Sequence, residues 1–339
     1  MSEAKLLLHP SDQPVFRLLV DVRGCACEVR LNDVPVWSNT GGLAARAVLS
    51  VNEWLFSGEN DLTLHLTAPP GAEVEPGTPA ILPEAAAVSA TLLYKRSRAP
   101  WLAMQELFPF SYRHRDDFKD VGIFNTEPPP RPDEPAAAEA EETPAEPTPS
   151  AAPAAPAPAL PNIIHPGEMA SLPIAPIPCD WMEGGAGIRL GLTITLPTAW
   201  PLCPWARALD LTAMPGLDYT VGRLVRSVSD SLQRRDWPGL RRLFADRRAA
   251  LQAAYYLNEA ATEEALVFPA LLKAPETQVV PVDNTQSVRA QICGAGRLIR
   301  AVMGENNAPA IILQCPTLGC EAGLETLWLN TGQEWRLAR

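Results

Sequence analysis

Hydrophobic and polar residues alternate along several short stretches on both sides of a central proline-rich segment. Leucines alternate with polar residues at 62–66, and an alternation of ten residues runs over 187–196. Shorter stretches at 15–22, 27–31 and 88–94 combine apolar and β-branched residues. A period of two places successive side chains on opposite faces of a strand. The pattern therefore predicts β-strands before and after the central segment.

The chain after residue 212 has a different pattern, in which helices precede a series of strands. Residues 221–235 carry apolar side chains on one helical face, and Asp236-Trp237-Pro238 is typical of a helix start, because proline fits the first turn. Thr262 is predicted to cap a third helix that runs towards Leu272. Strand-like stretches then follow at 278–282, 288–292, 298–303, 310–315, 324–329 and 334–337.

The central segment, residues 127–160, consists mainly of proline, alanine and acidic residues. It has no aromatic residue, and Leu160 is its only large aliphatic one. Seven acidic residues against one arginine give it a net charge of −6, more than half of the −11 of the whole chain. Such a composition buries too little apolar surface to offset the entropy of ordering. We expect this segment to be disordered.

Strand patterns on both sides of the segment suggest that it is inserted into one domain. A surface loop of this length is tolerated, because the entropy of loop closure grows slowly with length. The sequence therefore predicts a two-domain fold class. Residues 1–212 would form an all-β, jelly-roll-like sandwich with the disordered Pro/Ala/Glu insertion at 127–160, and residues 213–339 an α+β cone-like domain with helices on one face of a curved sheet.

Two stretches resemble known families. "VRLNDVPVW" and "GENDLTLHL", within 29–66, resemble the jelly-roll accessory domains of carbohydrate-active enzymes over about 40 residues, through their turns. "SVSDSLQRRDWPGLRRLFAD" and "LWLNTGQEWRLAR" resemble the opening helices and closing hairpin of the SnoaL/ketosteroid-isomerase-like cone fold, over 220–339. The second resemblance implies a fold that hosts isomerases, dehydratases, ligand binders and interaction modules.

Charge and composition exclude several classes of protein. Residues 1–126 carry a net charge of −4 and residues 161–339 a net charge of −1, so the basic surface of a nucleic-acid binder is not expected. The N-terminus lacks the features of a secretory signal, and no apolar stretch is long enough to span a bilayer. Seven cysteines without a CxxC pair indicate reduced, mostly buried thiols. We interpret the chain as cytoplasmic, with no membrane partner.

No complete catalytic or metal-binding motif is present, and we predict no catalytic residue, metal site or cofactor. The four histidines lie at or before residue 165, which removes the His–Asp pair of cone-fold dehydratases. Cone-fold enzymes also use tyrosines inside the cone. Tyr255, Tyr256 and Asn258 are therefore the candidate ligand-pocket residues, with Asp218 and Tyr219 at the mouth. The alternative is that the two tyrosines pack with their hydroxyls at the surface.

Three functions remain open. The first is a non-catalytic protein-binding module. The acidic character resembles that of cytoplasmic immunity proteins of type VI secretion, which neutralise a secreted bacterial toxin, such as a nuclease effector, by direct binding. Its partner would be a basic toxin, with Asp116, Asp117 and Asp120 as candidate partner-binding residues. The second is a small-ligand-binding or enzymatic cone domain with a β-sandwich accessory domain. The third is carbohydrate binding, which requires exposed aromatic residues that form a stacking platform.

Overall fold

The computed structural model describes residues 13–72, 82–83, 85–97, 99–113, 174–182, 187–196, 204–266, 276–280, 288–304, 307–316 and 319–339. The predicted insertion at 127–160 and the candidate partner-binding residues Asp116, Asp117 and Asp120 lie outside the described residues. What was predicted for them stays a prediction.

Two antiparallel sheets come from the N-terminal part of the chain. Their strands are β1 (Pro14–Arg23), β2 (Ala26–Leu31), β3 (Val34–Asn39), β4 (Ala45–Ser50), β5 (Gly58–Thr67), β6 (Ala87–Arg96), β7 (Gln105–Arg113), β8 (Ile174–Trp181) and β9 (Gly187–Leu196). The first sheet has the order β4-β1-β6-β7, and the second has the order β3-β2-β5-β9-β8. The chain therefore alternates between the two sheets: β1, β4, β6 and β7 belong to the first, and β2, β3, β5, β8 and β9 belong to the second.

Four helices and two further sheets complete the described structure. The helices are α1 (Leu217–Gln233), α2 (Trp237–Leu243), α3 (Ala245–Tyr255) and α4 (Glu259–Ala265). The strands are β10 (Gln278–Val280), β11 (Val288–Cys293), β12 (Leu298–Met303), β13 (Ala308–Pro309), β14 (Ile311–Cys315), β15 (Cys320–Leu324), β16 (Leu327–Asn330) and β17 (Trp335–Leu337). The third sheet has the order β10-β14-β15, and the fourth has the order β11-β12-β16-β17, with β13 paired to β12.

The local patterns predicted most of these elements. The alternation at 62–66 forms the buried face of β5, and that at 187–196 is β9. The start of α2 at Trp237 is confirmed, with Asp236 as its N-cap and proline in the first turn. The predicted cap at Thr262 is wrong, because α4 begins at Glu259 and Asn258 caps it. The stretch 324–329 is not one strand, since β15 ends at Leu324 and β16 begins at Leu327.

The predicted fold class is wrong. The structure is mostly β, and its four small sheets are arranged as a four-blade, propeller-like ring, not as an N-terminal jelly-roll-like sandwich followed by a C-terminal α+β cone-like domain. The prediction of the fold class is wrong for a physical reason. Periodicity reports which face of a strand is buried, but it carries no information on which sheet covers that face. The domain boundary at residue 212 stays a prediction.

One hydrophobic cluster includes residues from both parts of the chain. It contains the buried faces of the first two sheets together with Cys293, Leu298, Leu327 and Leu329 of the fourth sheet. A second cluster packs α1, through Val221, Val225, Val228 and Leu232, against the third and fourth sheets. Strands β12 and β16 thus have residues in both clusters. Among the described helices, none is long and apolar enough to cross a membrane.

Four cysteines confirm the expectation of reduced, buried thiols. Cys25, Cys27, Cys293 and Cys315 are buried and form no disulfide. Burial raises the pKa of Cys25 to about 11, and it raises that of Cys293 to about 12. The thiols of Cys25 and Cys293 therefore remain protonated at neutral pH, and they act as small apolar side chains.

Buried ion pairs join the second sheet to the fourth. Arg300 of β12, 3% exposed, donates hydrogen bonds to Glu28 of β2 and to Glu325, at 2.7 and 2.5 Å. Arg30 pairs with the other oxygen of Glu28, and Arg339 donates to the carbonyl oxygens of Pro35 and Val36. Burial disfavours the ionised form of Glu28, but Arg30 and Arg300 outweigh burial and lower its pKa. We call Glu28, Arg30, Arg300 and Glu325 the buried ionic network.

Substitution of Arg300 by methionine is expected to destabilise the protein strongly. The change leaves Glu325 without its closest cation and removes one of the two cations beside Glu28. Breaking a buried pair in this way costs about 3–5 kcal/mol. Urea unfolding, followed by circular dichroism, measures the loss. Arg23→Met is the matched control, because Arg23 is exposed and, in the part of the chain that the structure describes, its only ion-pair partner is Asp21. We expect its free energy of unfolding to change by less than about 0.5 kcal/mol. Equal effects of the two variants would show that the network does not stabilise the fold.

His65 lies beside this network, between Glu28 and Arg189 in the register of the second sheet. Burial first, and then Arg30, lower its pKa from 6.5 to about 4. The unfolded chain binds the His65 proton more tightly than the folded protein does. The contribution of neutral His65 to stability is therefore complete above pH 6.5 and is lost as the pH falls towards 4. We expect His65→Gln to reduce the loss of stability between pH 6.5 and 4.5 by about 1–2 kcal/mol. Parallel pH dependences of the two proteins in urea unfolding would contradict this.

Candidate functional site

A cleft opens where the turn between β2 and β3 meets the turn between β11 and β12. Its volume is about 410 Å³. Its lining residues are Asn32, Asp33, Phe56, Glu59, Asp61, Trp205, Ala206, Gly294, Ala295 and Arg297. They include three carboxylates, one guanidinium and two aromatic rings. We call this cavity the acidic cleft.

Two asparagines build the N-terminal wall of the cleft. Asn32 and Asp33 have positive φ angles of 53° and 63°, which suit a two-residue hairpin turn and which asparagine and aspartate tolerate well. The Asn32 amide donates to the backbone oxygen of Trp54 and to the side chain of Asn60, while its oxygen accepts from the Asp61 amide. Asn60 in turn bonds to both backbone groups of Phe56. These bonds hold Glu59 and Asp61 beside Asp33.

Asp33 fastens the C-terminal wall to this turn. Its carbonyl oxygen accepts from the Gly294 amide at 3.1 Å, and its carboxylate accepts from the Ala295 amide at 3.1 Å. The second carboxylate oxygen of Asp33 accepts from Arg30 at 2.7 Å. Gly294 has φ of +61°, and a Cβ there would lie 3.0 Å from Leu298 and 3.4 Å from Trp205. A side chain at 294 is therefore disfavoured, and the two turns can approach each other closely.

The three carboxylates of the cleft differ in how they are held. Asp33 is engaged by Arg30 and by backbone amides, and Asp61 accepts from the Thr193 hydroxyl at 2.6 Å. Glu59 is exposed, and within the described residues it has no hydrogen-bond or ion-pair partner. The Arg297 guanidinium on the opposite wall donates to the Ala208 carbonyl oxygen. The lining carries a net charge of −2, with Glu59 as its most available anion.

The aromatic lining does not form an exposed stacking platform. Trp205 is 5% exposed, and its ring packs against Phe56 and Trp54, with centroids 5.0 and 6.4 Å away. Phe56 is half-buried. The rings therefore form a rigid apolar floor below the carboxylates. Exposed aromatic faces, which the carbohydrate-binding hypothesis requires, are missing from the floor of this cleft.

The predicted ligand-pocket residues lie elsewhere, where α3 meets the N-terminal part of the chain. The Tyr255 hydroxyl donates to the Glu53 carboxylate and accepts from the backbone N–H of Asn52. Tyr256, in the left-handed region with φ of 59°, donates to the Pro14 carbonyl oxygen at 3.3 Å. Asn258 accepts from the Ala261 amide as the N-cap of α4. Both tyrosine hydroxyls bond to the N-terminal part of the chain, whereas Asn258 caps α4.

Electrostatics explain why Tyr255 is held so firmly. Glu53 is 5% exposed, and it also accepts from Arg247 at 3.1 Å. Burial and the nearby Glu53 raise the pKa of Tyr255, so its hydroxyl keeps the proton that it donates. Asn52 adds a second link between α3 and the N-terminal part, since its side-chain amide donates to the carbonyl oxygens of Ala254 and Pro14. The use of Tyr255, Tyr256 and Asn258 as a ligand pocket stays a prediction.

Sequence reasoning missed the acidic cleft. It recognised the Asn32-Asp33 and Gly58-Glu59-Asn60-Asp61 turns, but only as turn chemistry. The signal that could have found the site is the acidic residue in each turn, together with the antiparallel pairing of the strands that begin or end there. Leu31 pairs with Leu62, which puts both turns at one end of the second sheet. No local pattern connected Trp205 or the turn at 294–297 with these two turns.

Comparison of the chain with protein-family models, curated proteins and solved structures found no match. The resemblances to SnoaL-like proteins and to immunity proteins are thus neither supported nor refuted. Among the described residues, no group of three or more histidine, cysteine, aspartate or glutamate side chains could hold a metal ion. The acidic cleft, with its unpaired Glu59 carboxylate among the described residues, is therefore the feature that bears on function.

Two adjacent tyrosines provide a direct test of the α3 contact. Tyr255→Phe removes a donor from the buried Glu53 and is expected to destabilise the protein by about 1–3 kcal/mol. Tyr256→Phe removes one longer bond to a carbonyl and should cost less, about 0.5–1 kcal/mol. Urea unfolding of both variants measures the difference. Equal stability of Tyr255→Phe and the unmodified protein would show that the Glu53 contact contributes nothing.

Proposed function

We propose that the chain is a protein-binding module that recognises a basic partner through the acidic cleft. The observation that carries this proposal is Glu59, an exposed carboxylate with no described partner, beside Asp33 and Asp61 on a rigid apolar floor. A lysine or arginine side chain can place its aliphatic part on Phe56 and its charge between the carboxylates. The net charge of −11 would steer a basic partner towards the chain.

The setting that we propose is neutralisation of a secreted bacterial toxin inside the cell that makes it. A cytoplasmic immunity protein has to bind its toxin quickly and block it by contact alone, and complementary charge accelerates association. A toxin with a basic substrate groove, such as a nuclease, would present cations of the kind that the cleft accepts. Asp116, Asp117 and Asp120 remain additional candidates for the same contact.

The rigidity of the cleft supports recognition. Hydrogen bonds hold the Asp33 and Asp61 carboxylates, Asn32 and Asn60 hold the turn that carries Glu59, and the aromatic floor is packed. A site that is ordered before binding loses little conformational entropy when a partner arrives. This property favours binding by surface complementarity. Mutual placement of Glu59 and Asp61 on one strand, β5, also fixes the spacing of the two charges.

The first experiment captures partners on the full-length protein. Tagged protein is incubated with lysate of the native bacterium, and with the purified products of adjacent open reading frames, at low and moderate salt. We expect one basic partner, bound at one-to-one stoichiometry. Cells that express this partner should be killed by it, and co-expression of the present protein should rescue them. Isolation of an acidic partner, or of none among the adjacent products, would contradict the proposal.

A charge reversal then locates the contact. Glu59→Lys is expected to weaken binding of the partner at least about tenfold, because it places a cation against a cation. Glu106→Lys is the matched control, since Glu106 is exposed on β7 of the first sheet and makes the same change of charge. Isothermal titration calorimetry gives both affinities. If the two variants bind alike, net charge and not the cleft determines recognition.

A further inference from the structure

A second surface, on the first sheet, exposes two large apolar side chains at the tip of a turn. Trp101 and Leu102 lie in the 3₁₀ turn Trp101–Ala103 between β6 and β7. Trp101 is 53% exposed, and Leu102 is 100% exposed. Single exposed apolar residues are common in proteins, but two adjacent large ones at a tip form an anchor of the type found in interfaces.

Two cations lie against the ring of Trp101. The guanidinium carbon of Arg17 is 3.7 Å from the ring centre, and the Lys95 ammonium nitrogen is 4.1 Å from it. Lys95 also donates to the carbonyl oxygens of Ser97 and Ala99. The ring contacts both cations, the two carbonyl oxygens hold Lys95, and the two cations together orient the indole. The tip is therefore a fixed arrangement of charges around an exposed aromatic side chain.

These two cations are not neutralised by the described part of the chain. Neither Arg17 nor Lys95 forms an ion pair with a carboxylate there, and the Nε atom of Arg17 has no hydrogen-bond acceptor. Glu106 stands in the same cross-strand row as Arg17, with Leu93 between them, so about 10 Å separates the two backbones. Burial and the charge of Arg17 lower the pKa of Lys95. The two cations therefore repel each other, and no anion of the described residues is paired with either of them.

We propose that this tip, Arg17, Lys95, Trp101 and Leu102, binds an acidic peptide segment of a protein partner. A carboxylate of the segment pairs with the guanidinium of Arg17, and a neighbouring apolar side chain packs on Trp101 and Leu102. The footprint is one pair of cations beside one apolar tip, which fits a carboxylate next to an apolar side chain. A nucleic acid or a lipid surface is contacted through a longer row of cations. This surface lies on the first sheet and is separate from the acidic cleft.

The test uses the full-length protein and three fluorescent peptides of equal length. One alternates glutamate and leucine, the second has glutamine in place of glutamate, and the third has alanine in place of leucine. Fluorescence anisotropy should show saturable binding of the first peptide, and at least about fivefold weaker binding of the other two. No saturable binding of the first peptide up to about 1 mM would overturn the proposal.

Variants assign the binding to the tip. Leu102→Ser alters a side chain with no buried surface, so it should leave the melting temperature unchanged while weakening the first peptide about fivefold. Arg17→Gln should weaken it about tenfold, and Arg23→Gln, which alters an exposed arginine of the same strand, should have no effect. Equal binding by all variants would overturn the proposal. So would binding to phosphatidylserine vesicles that Leu102→Ser abolishes, without binding of the peptide.

Discussion

The burial of Arg300 between Glu28 and Glu325 is the constraint on which much of the structure depends. A guanidinium that is 3% exposed has lost nearly all its contact with water, and only a complete set of anionic partners offsets that loss. Glu28 belongs to β2, whereas Arg300 belongs to β12, 272 positions further along the chain. Satisfaction of this one side chain therefore requires the second and fourth sheets to meet in one relative position.

The acidic cleft is a consequence of that position. Arg30 connects the buried ionic network to Asp33, and Asp33 accepts the backbone amide of Ala295 from the turn after β11. The same residue thus links the buried charges to the wall of the cleft. A second contact, among Asn52, Glu53, Arg247 and Tyr255, joins the N-terminal part to α3. Both contacts are polar. The second is buried, since the Arg247 and Glu53 side chains are 14% and 5% exposed, and this strengthens its hydrogen bonds, whereas the Asp33–Ala295 contact is exposed.

The local elements could be predicted from the sequence, but their assembly could not. Alternation identified β5 and β9, and Asp236 with Pro238 located the start of α2, because these signals depend on neighbouring residues. The ring-like arrangement of the four sheets depends on contacts between residues far apart in the chain, such as Glu28 with Arg300. No periodicity records such a pair. The sandwich and the cone rest on the order of the predicted strands and helices and on short local resemblances, and this predicted fold class is wrong.

For the candidate sites too, the sequence identified local residues but not their long-range partners. Asn32, Asp33 and Asn60 were recognisable as turn residues, yet the cleft needs Gly294 and Trp205 as well, which no pattern connected with them. Tyr255 was selected for its chemistry, and the structure gives its hydroxyl to Glu53. A tyrosine near a helix end looks the same in sequence whether its hydroxyl faces a ligand or a buried carboxylate. Long-range partners decide between the two.

Native-state hydrogen exchange tests most directly whether the buried ionic network couples the two parts of the chain. The amides of β2 and β12 are followed in the unmodified protein and in Arg300→Met under mild denaturant. If the network couples them, both strands exchange through one common opening, and the substitution lowers the free energy of that opening equally in both. If β12 opens at a lower free energy than β2 in the unmodified protein, or if only β12 responds to the substitution, the two parts are stabilised independently and the account is contradicted.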